Sequence, residues 1–84
     1  MKSYLITFRS VTFAQKAQRA LKRADIGCVL QRTPKELSRR GCGYCLRIRP
    51  GEVISARDLL ETEGVDYGKC YGVREDGSIE EVRL

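Results

Sequence analysis

The chain has 84 residues, of which 42% are hydrophobic and 32% charged, and its formal net charge is +5. These values predict one small folded domain over residues 1–84 and exclude both a large multi-domain enzyme and a disordered chain. Histidine is absent, which excludes imidazole as a general base or a zinc ligand. The first apolar run is too short for a signal peptide or a membrane span, so we expect a cytoplasmic protein.

The first part of the chain predicts a strand, a helix and a second strand. SYLITF, residues 3–8, has the β-branched and aromatic residues typical of a strand. Ser10 can act as an N-cap, and small and apolar residues then recur at helical spacing from Val11. This pattern predicts a first helix that is closed by Gly27. CVLQR, residues 28–32, predicts the second strand.

The middle of the chain predicts a turn and a third strand. Thr33 to Glu36 form a capping box with proline at the first helical position, which predicts a single helical turn that ends at Ser38. CLRIR, residues 45–49, alternates as a strand, with Leu46 and Ile48 inward and Cys45 on the opposite face.

The last part predicts a second helix and two strands. The helix is expected from Val53 and stops at Gly64. A fourth strand is expected to start at residues 65–67 and to continue through Val73. Asp76-Gly77 is a hairpin signal, which predicts a fifth strand over residues 79–83.

The order of these elements predicts an α+β fold, a ferredoxin-like βαββαβ sandwich with both helices on one face of an antiparallel sheet. Right-handed crossovers give the strand order four, one, three, two. Residues 73–84 are expected to add a β-hairpin strand to this sheet.

The most informative segment is RRGCGYC, in which two residues separate Cys42 from Cys45. In the predicted topology both cysteines approach the start of the first helix, where free N–H groups and arginines stabilise a thiolate and lower its pKa. We expect Cys42 and Cys45 to be the reactive pair. The residues predicted to stabilise the thiolate or an anion are Arg9, Ser10, Arg39, Arg40, Gly41 and Gly43.

The other two cysteines, Cys28 and Cys70, are predicted to lie on opposite edge strands, three strand steps or roughly 14 Å apart. They cannot bind one metal ion together, and we expect both to be small, semi-buried core residues. No metal or cofactor is predicted.

Three functions remain open on the residues alone. Cys42 can carry a sulfur or selenium atom that Cys45 releases, or the two cysteines can cycle as a dithiol redox module. A basic binding module for RNA is the third, although the strands lack the aromatic stacking pair of an RNA-recognition sheet. A metabolic enzyme with its own substrate pocket is disfavoured.

Four segments carry a resemblance to a known family: YLITFRS, TPKELS, the Cys-Gly step before LRI, and GVDYGKCYGV. Over residues 1–71 the chain resembles the selenium/sulfur carrier-like family of small bacterial proteins. The resemblance implies that Cys42 is the loop cysteine of the family. It also implies that the protein is a carrier more than a free-standing enzyme. Such a carrier passes sulfur or selenium from a cysteine desulfurase-like donor to an acceptor protein. The releasing role of Cys45 comes from local chemistry alone. An exposed edge strand could pair two copies into a homodimer.

Overall fold

The computed structural model of the chain describes residues 1–37 and 43–84. Its elements are β1 (Ser3–Phe8), α1 (Val11–Arg23), β2 (Cys28–Arg32), β3 (Tyr44–Ile48), a 3₁₀ turn (Pro50–Glu52), α2 (Val53–Thr62), β4 (Cys70–Val73) and β5 (Ile79–Val82). β1 and β2 have the predicted bounds, and α1, β3, α2 and β5 lie where the sequence predicts them to within a few residues; the 3₁₀ turn was not predicted, and β4 begins late.

The five strands form one antiparallel sheet in the order β2-β3-β1-β4-β5. This confirms the predicted α+β, ferredoxin-like class and the predicted order of the first four strands. The fifth strand pairs with β4, from Val73↔Ile79 to Cys70↔Val82. β4 is therefore an inner strand, and the prediction that it forms an edge of the sheet is wrong.

One face of the sheet carries both helices and the main core. Ile6, Leu46 and Ile48 point to this face and pack with helix residues such as Leu21 and Leu60, and all five are at most 1% exposed. Burial of side chains of this size contributes about 1.5–3 kcal/mol each. The core therefore holds both helices against the central strands and fixes where their ends lie.

Both helices end in a Schellman motif, in which the residue after the cap is left-handed. After α1 that residue is Asp25 at φ 61°, and the N–H of Ile26 donates to Leu21 O at 2.9 Å. The prediction that Gly27 closes this helix is wrong. Asp25 takes the left-handed position instead, because Asp is one of the few residues besides glycine that tolerate this conformation. α2 ends as predicted, with Gly64 at φ 68°.

The fourth strand begins later than predicted. Val65 belongs to the Schellman motif of α2, since its N–H donates to Leu60 O at 2.9 Å, and its buried side chain packs in the core. Gly68 N–H then donates to Thr7 O at 2.7 Å, and Thr7 N–H donates to Lys69 O at 2.9 Å. Two residues thus oppose one residue of β1, a β-bulge that delays the regular ladder to Cys70.

After β2, Leu37 N–H donates to Pro34 O at 2.9 Å. This bond closes a turn from Pro34 to Leu37, where a helical turn was predicted. The predicted end of that helical turn, Ser38, lies outside the described residues. Among the helices of the described residues, none is long and apolar enough to cross a membrane.

Candidate functional site

The loop between β2 and β3 leaves the sheet at the end where β1 finishes. Tyr44 pairs with both Phe8 and Arg32, and Thr33 N–H donates to Gly43 O at 3.0 Å, which closes the base of the loop. The loop therefore begins at the end of the sheet that the predicted topology gives for it. Four predicted site residues within the loop lie outside the described residues: Arg39, Arg40, Gly41 and Cys42.

Gly43 is the last residue before β3 and the first described residue after Cys42. Its φ is 147°, a value that residues with a side chain rarely adopt. A glycine is therefore required at this position by the backbone itself, whatever it contributes to anion binding.

Cys45 lies on the face of the sheet that is turned away from the helices, paired with Thr7 and Gln31. Its side chain is nevertheless 0% exposed, and its Sγ lies 3.9 Å from Arg32 O. Burial raises the pKa of the Cys45 thiol, and the side chains of Thr33 and Gln31 lower it only in part.

The expectation of a lowered pKa is therefore wrong for Cys45. The main reason is burial of the thiol; in addition, the α1 residues belong to the core cluster on the other face of the sheet, which contains Leu46 but not Cys45.

Arg9 and Ser10 lie where β1 passes into α1, and both already have contacts of their own. The Arg9 guanidinium is 3.3 Å from Asp66 Oδ2 and lies 4.8 Å above the centroid of the Phe13 ring. Ser10 Oγ accepts a hydrogen bond from Phe13 N at 3.4 Å and caps α1. Ser10 has the predicted capping role, and part of the Arg9 charge is balanced by Asp66.

Cys28 and Cys70 are core residues, as predicted. Cys70 is buried in the core at the first position of β4, and the half-buried Cys28 packs against that core from β2. Burial raises the pKa of both thiols. Of the three described cysteines, Cys45 and Cys70 are buried and Cys28 is half-buried. Within the described residues no group of His, Cys, Asp or Glu is arranged to hold a metal ion.

The outer face of β1 and β3 carries no aromatic side chain. Ser3, Leu5 and Thr7 of β1 and Cys45 and Arg47 of β3 form this face, and both strands lie wholly within the described residues. None of the five side chains is aromatic. β1 and β3 therefore lack the aromatic stacking pair of RNA-recognition sheets, while Tyr71 of β4, which pairs with Leu5, lies on the same outer face.

Two features escaped the sequence analysis. A cleft of about 470 Å³ at the opposite end of the sheet is lined by Lys2, Ser3, Gly27, Cys28, Val29, Arg47, Ile48 and Arg49. In the sequence, the only sign of this cleft was the alternation of Arg47 and Arg49; the exposure of Val29 is seen in the structure. The second feature is a side-chain pair near Cys70, in which Tyr67 Oη donates to Glu61 Oε2 at 2.6 Å. This hydrogen bond raises the pKa of Tyr67 to about 12. This pair had no sequence signal.

The family model described as "Putative Se/S carrier protein-like" matches residues 3–72, and the chain therefore belongs to this family. The match confirms the resemblance and extends from β1 into β4. The name of the family indicates sulfur or selenium carriage, with donor and acceptor proteins as partners. Neither a curated protein nor a solved structure matches the chain.

Proposed function

We propose that this chain carries sulfur or selenium as a persulfide, or its selenium analogue, on Cys42. The observation that supports this most directly is the family match, whose residues 3–72 include the whole β2–β3 loop. A carrier needs one nucleophilic cysteine that a partner protein can reach. Because the three other thiols are buried or half-buried and have raised pKa values, Cys42 is the best candidate for that cysteine.

Loading follows the chemistry of thiol–disulfide exchange. The Cys42 thiolate attacks the terminal sulfur of a persulfide on the donor, a new S–S bond forms at Cys42, and the S–S bond of the donor breaks. The donor cysteine leaves as a thiolate, so no external oxidant or reductant is needed. Selenium follows the same path as Cys42–S–Se⁻. Arg39 and Arg40 supply positive charge in the same segment, and we propose that they stabilise the anionic cargo.

Delivery takes place in the same way when a nucleophile of the acceptor attacks the terminal atom. Cys45 offers a second route: its thiolate attacks Sγ of Cys42, a Cys42–Cys45 disulfide forms, and hydrosulfide leaves. The Cys45 sulfur is oxidised and the carried sulfur is reduced, while the Cys42 sulfur stays in an S–S bond, so the step balances. Because Cys45 is buried and its pKa is raised, this route is slow until β2 and β3 separate at the loop. Burial of Cys45 would thus protect the carried atom.

The test is to incubate the reduced protein with inorganic polysulfide and to locate the added sulfur by mass spectrometry of peptides. We expect one added sulfur on Cys42 in the wild type and none in Cys42→Ser. Cys28→Ser and Cys70→Ser are matched controls that should load like the wild type. Added sulfur on Cys28 or Cys70, or unchanged loading in Cys42→Ser, would refute the proposal.

The same experiment separates the carrier from a dithiol redox module. A carrier keeps the added sulfur, and Cys45→Ser keeps it longer because the route to hydrosulfide is lost. If the wild type gives only the Cys42–Cys45 disulfide and no added sulfur, even at short times and in Cys45→Ser, the redox function replaces the carrier function.

A further inference from the structure

The two edges of the sheet differ in charge. Residues 1–51 contain 12 of the 16 Lys and Arg but two of the 11 Asp and Glu, and the remaining residues contain four and nine. The first part supplies β2 and β3 at one edge of the sheet, whereas the second part supplies β4 and β5 at the other. Near the two edges, residues 28–37 and 43–49 contain four basic residues and one acidic residue, whereas residues 69–84 contain three and four, so the β2 edge is basic and the β5 edge is close to neutral.

On the basic side, the cleft of about 470 Å³ brings together Lys2, Arg47 and Arg49, and no carboxylate lines it. The ion pairs of the described residues join Arg9, Arg23, Arg57, Lys69 and Arg74 to acidic partners. The three cleft cations are not among them. Like charges that line one concave surface repel each other and attract anions, so the cleft is suited to a negatively charged ligand.

The cleft opens beside the unpaired edge of β2. Thr33 N–H donates to Gly43 O, so the alternation of an antiparallel ladder directs Gln31 and Val29 toward β3. The N–H and C=O groups of Cys28 and Leu30 then face away from the sheet, and no other strand of the described residues pairs with them. Such an edge can accept an added strand.

An apolar contact accompanies the charges. Val29 is 50% exposed, pairs with Arg47 across the two strands and lines the cleft. Because side chains of an added strand alternate between the two faces, its acidic residues would lie beside the cations and Val29, and its apolar residues beside the half-buried Cys28 and Leu30 on the helix face.

We propose that the edge of β2 and the cleft of Lys2, Arg47 and Arg49 form a docking surface for an extended acidic segment of a partner protein. The segment pairs with β2 and places its carboxylates in the cleft. β2 has five residues and spans about 17 Å from the cleft to the base of the Cys42 loop. A partner docked on β2 would thus lie along the path to Cys42. The identity of that partner as a sulfur or selenium donor or acceptor rests on the proposed function; the docking surface does not.

The probe is the peptide acetyl-Glu-Val-Glu-Val-Glu-amide, titrated into isotope-labelled protein and followed by the backbone amide signals. We expect the signals of Cys28 and Leu30 and of the cleft residues to shift. Two matched peptides test the parts of the proposal: one has Gln for Glu, and one has N-methyl groups that block strand pairing. Both should bind at least about tenfold more weakly, because each lacks one set of contacts.

The charge-reversal variant Arg47→Glu/Arg49→Glu should also lose at least about tenfold in affinity, since both side chains are exposed and line the cleft. The variant Lys16→Glu/Arg19→Glu makes the same charge change on the exposed side of α1 and should bind within about twofold of the wild type. Amide spectra without peptide confirm that both variants are folded; if the first is not, Lys2→Glu replaces it.

Three outcomes would overturn the proposal: equal binding by Arg47→Glu/Arg49→Glu, equal binding of the Gln peptide, or shifts confined to other surfaces. Binding of inorganic triphosphate in the cleft without binding of the acidic peptide would also overturn it, in favour of a small-anion site. Cys42→Ser should bind the peptide normally, and Arg47→Glu/Arg49→Glu should load normally with polysulfide. The docking surface and the carrier function can therefore fail separately.

Discussion

The burial of Cys45 predicts how slowly its thiol reacts in the native protein. An alkylating reagent can reach this 0%-exposed side chain only when the edge strand β2 separates from β3. Separation from the loop as far as Cys45 breaks about three ladder hydrogen bonds, that from Thr33 to Gly43 and the two of the Gln31–Cys45 pair, at about 1 kcal/mol each. It also exposes Cys45 and the half-buried Leu30, for about 1–2 kcal/mol more.

The local opening therefore costs about 4 kcal/mol, which slows alkylation of Cys45 about 1,000-fold relative to the unfolded chain. The raised pKa slows it further, because the thiolate is the reacting form. The assay is competitive labelling with iodoacetamide, with each cysteine located by mass spectrometry. We expect the half-buried Cys28 to react faster than Cys70, Cys45 to be slowest of the three, and Cys42 to be fastest of all. In urea the differences should vanish. Labelling of native Cys45 at the rate of Cys28 would refute this account of the site.

Three further predictions concern the scaffold around the site. The Tyr67 hydroxyl should titrate near pH 12 because it donates to Glu61, and Glu61→Gln should lower that pKa; ring signals in an NMR titration measure it. Ser10→Ala should lower the free energy of unfolding by about 1 kcal/mol in urea denaturation, because it removes the cap of α1. Gly68→Ala should lower it by about 1–3 kcal/mol, because the new Cβ would lie 2.7 Å from Thr7 Oγ1.

Each of these predictions has a control or a contradicting result. A raised tyrosine pKa stabilises the native state below pH 10, and this stability is lost between about pH 10 and pH 12. If Tyr67 of the wild type titrates no higher than Tyr67 of Glu61→Gln, the prediction for Tyr67 is wrong. Ser55→Ala, on the exposed side of α2, should change stability little, and an equal loss would discount the cap. Gly51→Ala is the control for Gly68→Ala, since its Cβ would meet no atom within 4 Å.

Local patterns predicted most of the fold. Strands with strong β propensity, β1 and β2, have the bounds that the sequence predicts, and Ser10 caps the first helix as expected. The sheet order of the first four strands followed from the handedness of the two crossovers. These features depend on residues that are near each other in the chain or on rules that hold for most α+β sheets.

The errors have two sources: helix ends that close locally in a Schellman motif, and contacts between residues that are distant in the chain. Val65 has a strand-forming side chain, but its N–H completes the end of α2. The alternation in β3 placed Cys45 correctly on the outer face and still gave the wrong pKa, because its burial depends on how neighbouring strands pack around it. The basic cleft needed Lys2 and Arg49, which are 47 positions apart in the chain. No local pattern contains such contacts.

The central claim is that Cys42 both accepts and gives up a sulfur atom. The most direct test loads the protein with polysulfide, removes the excess reagent, and adds cyanide, which converts transferable sulfur to thiocyanate. We predict a stoichiometric yield of thiocyanate from the wild type and from Cys28→Ser, and none from Cys42→Ser. Thiocyanate from loaded Cys42→Ser in the same yield as from the wild type would contradict the claim, as would a loaded wild type that releases none.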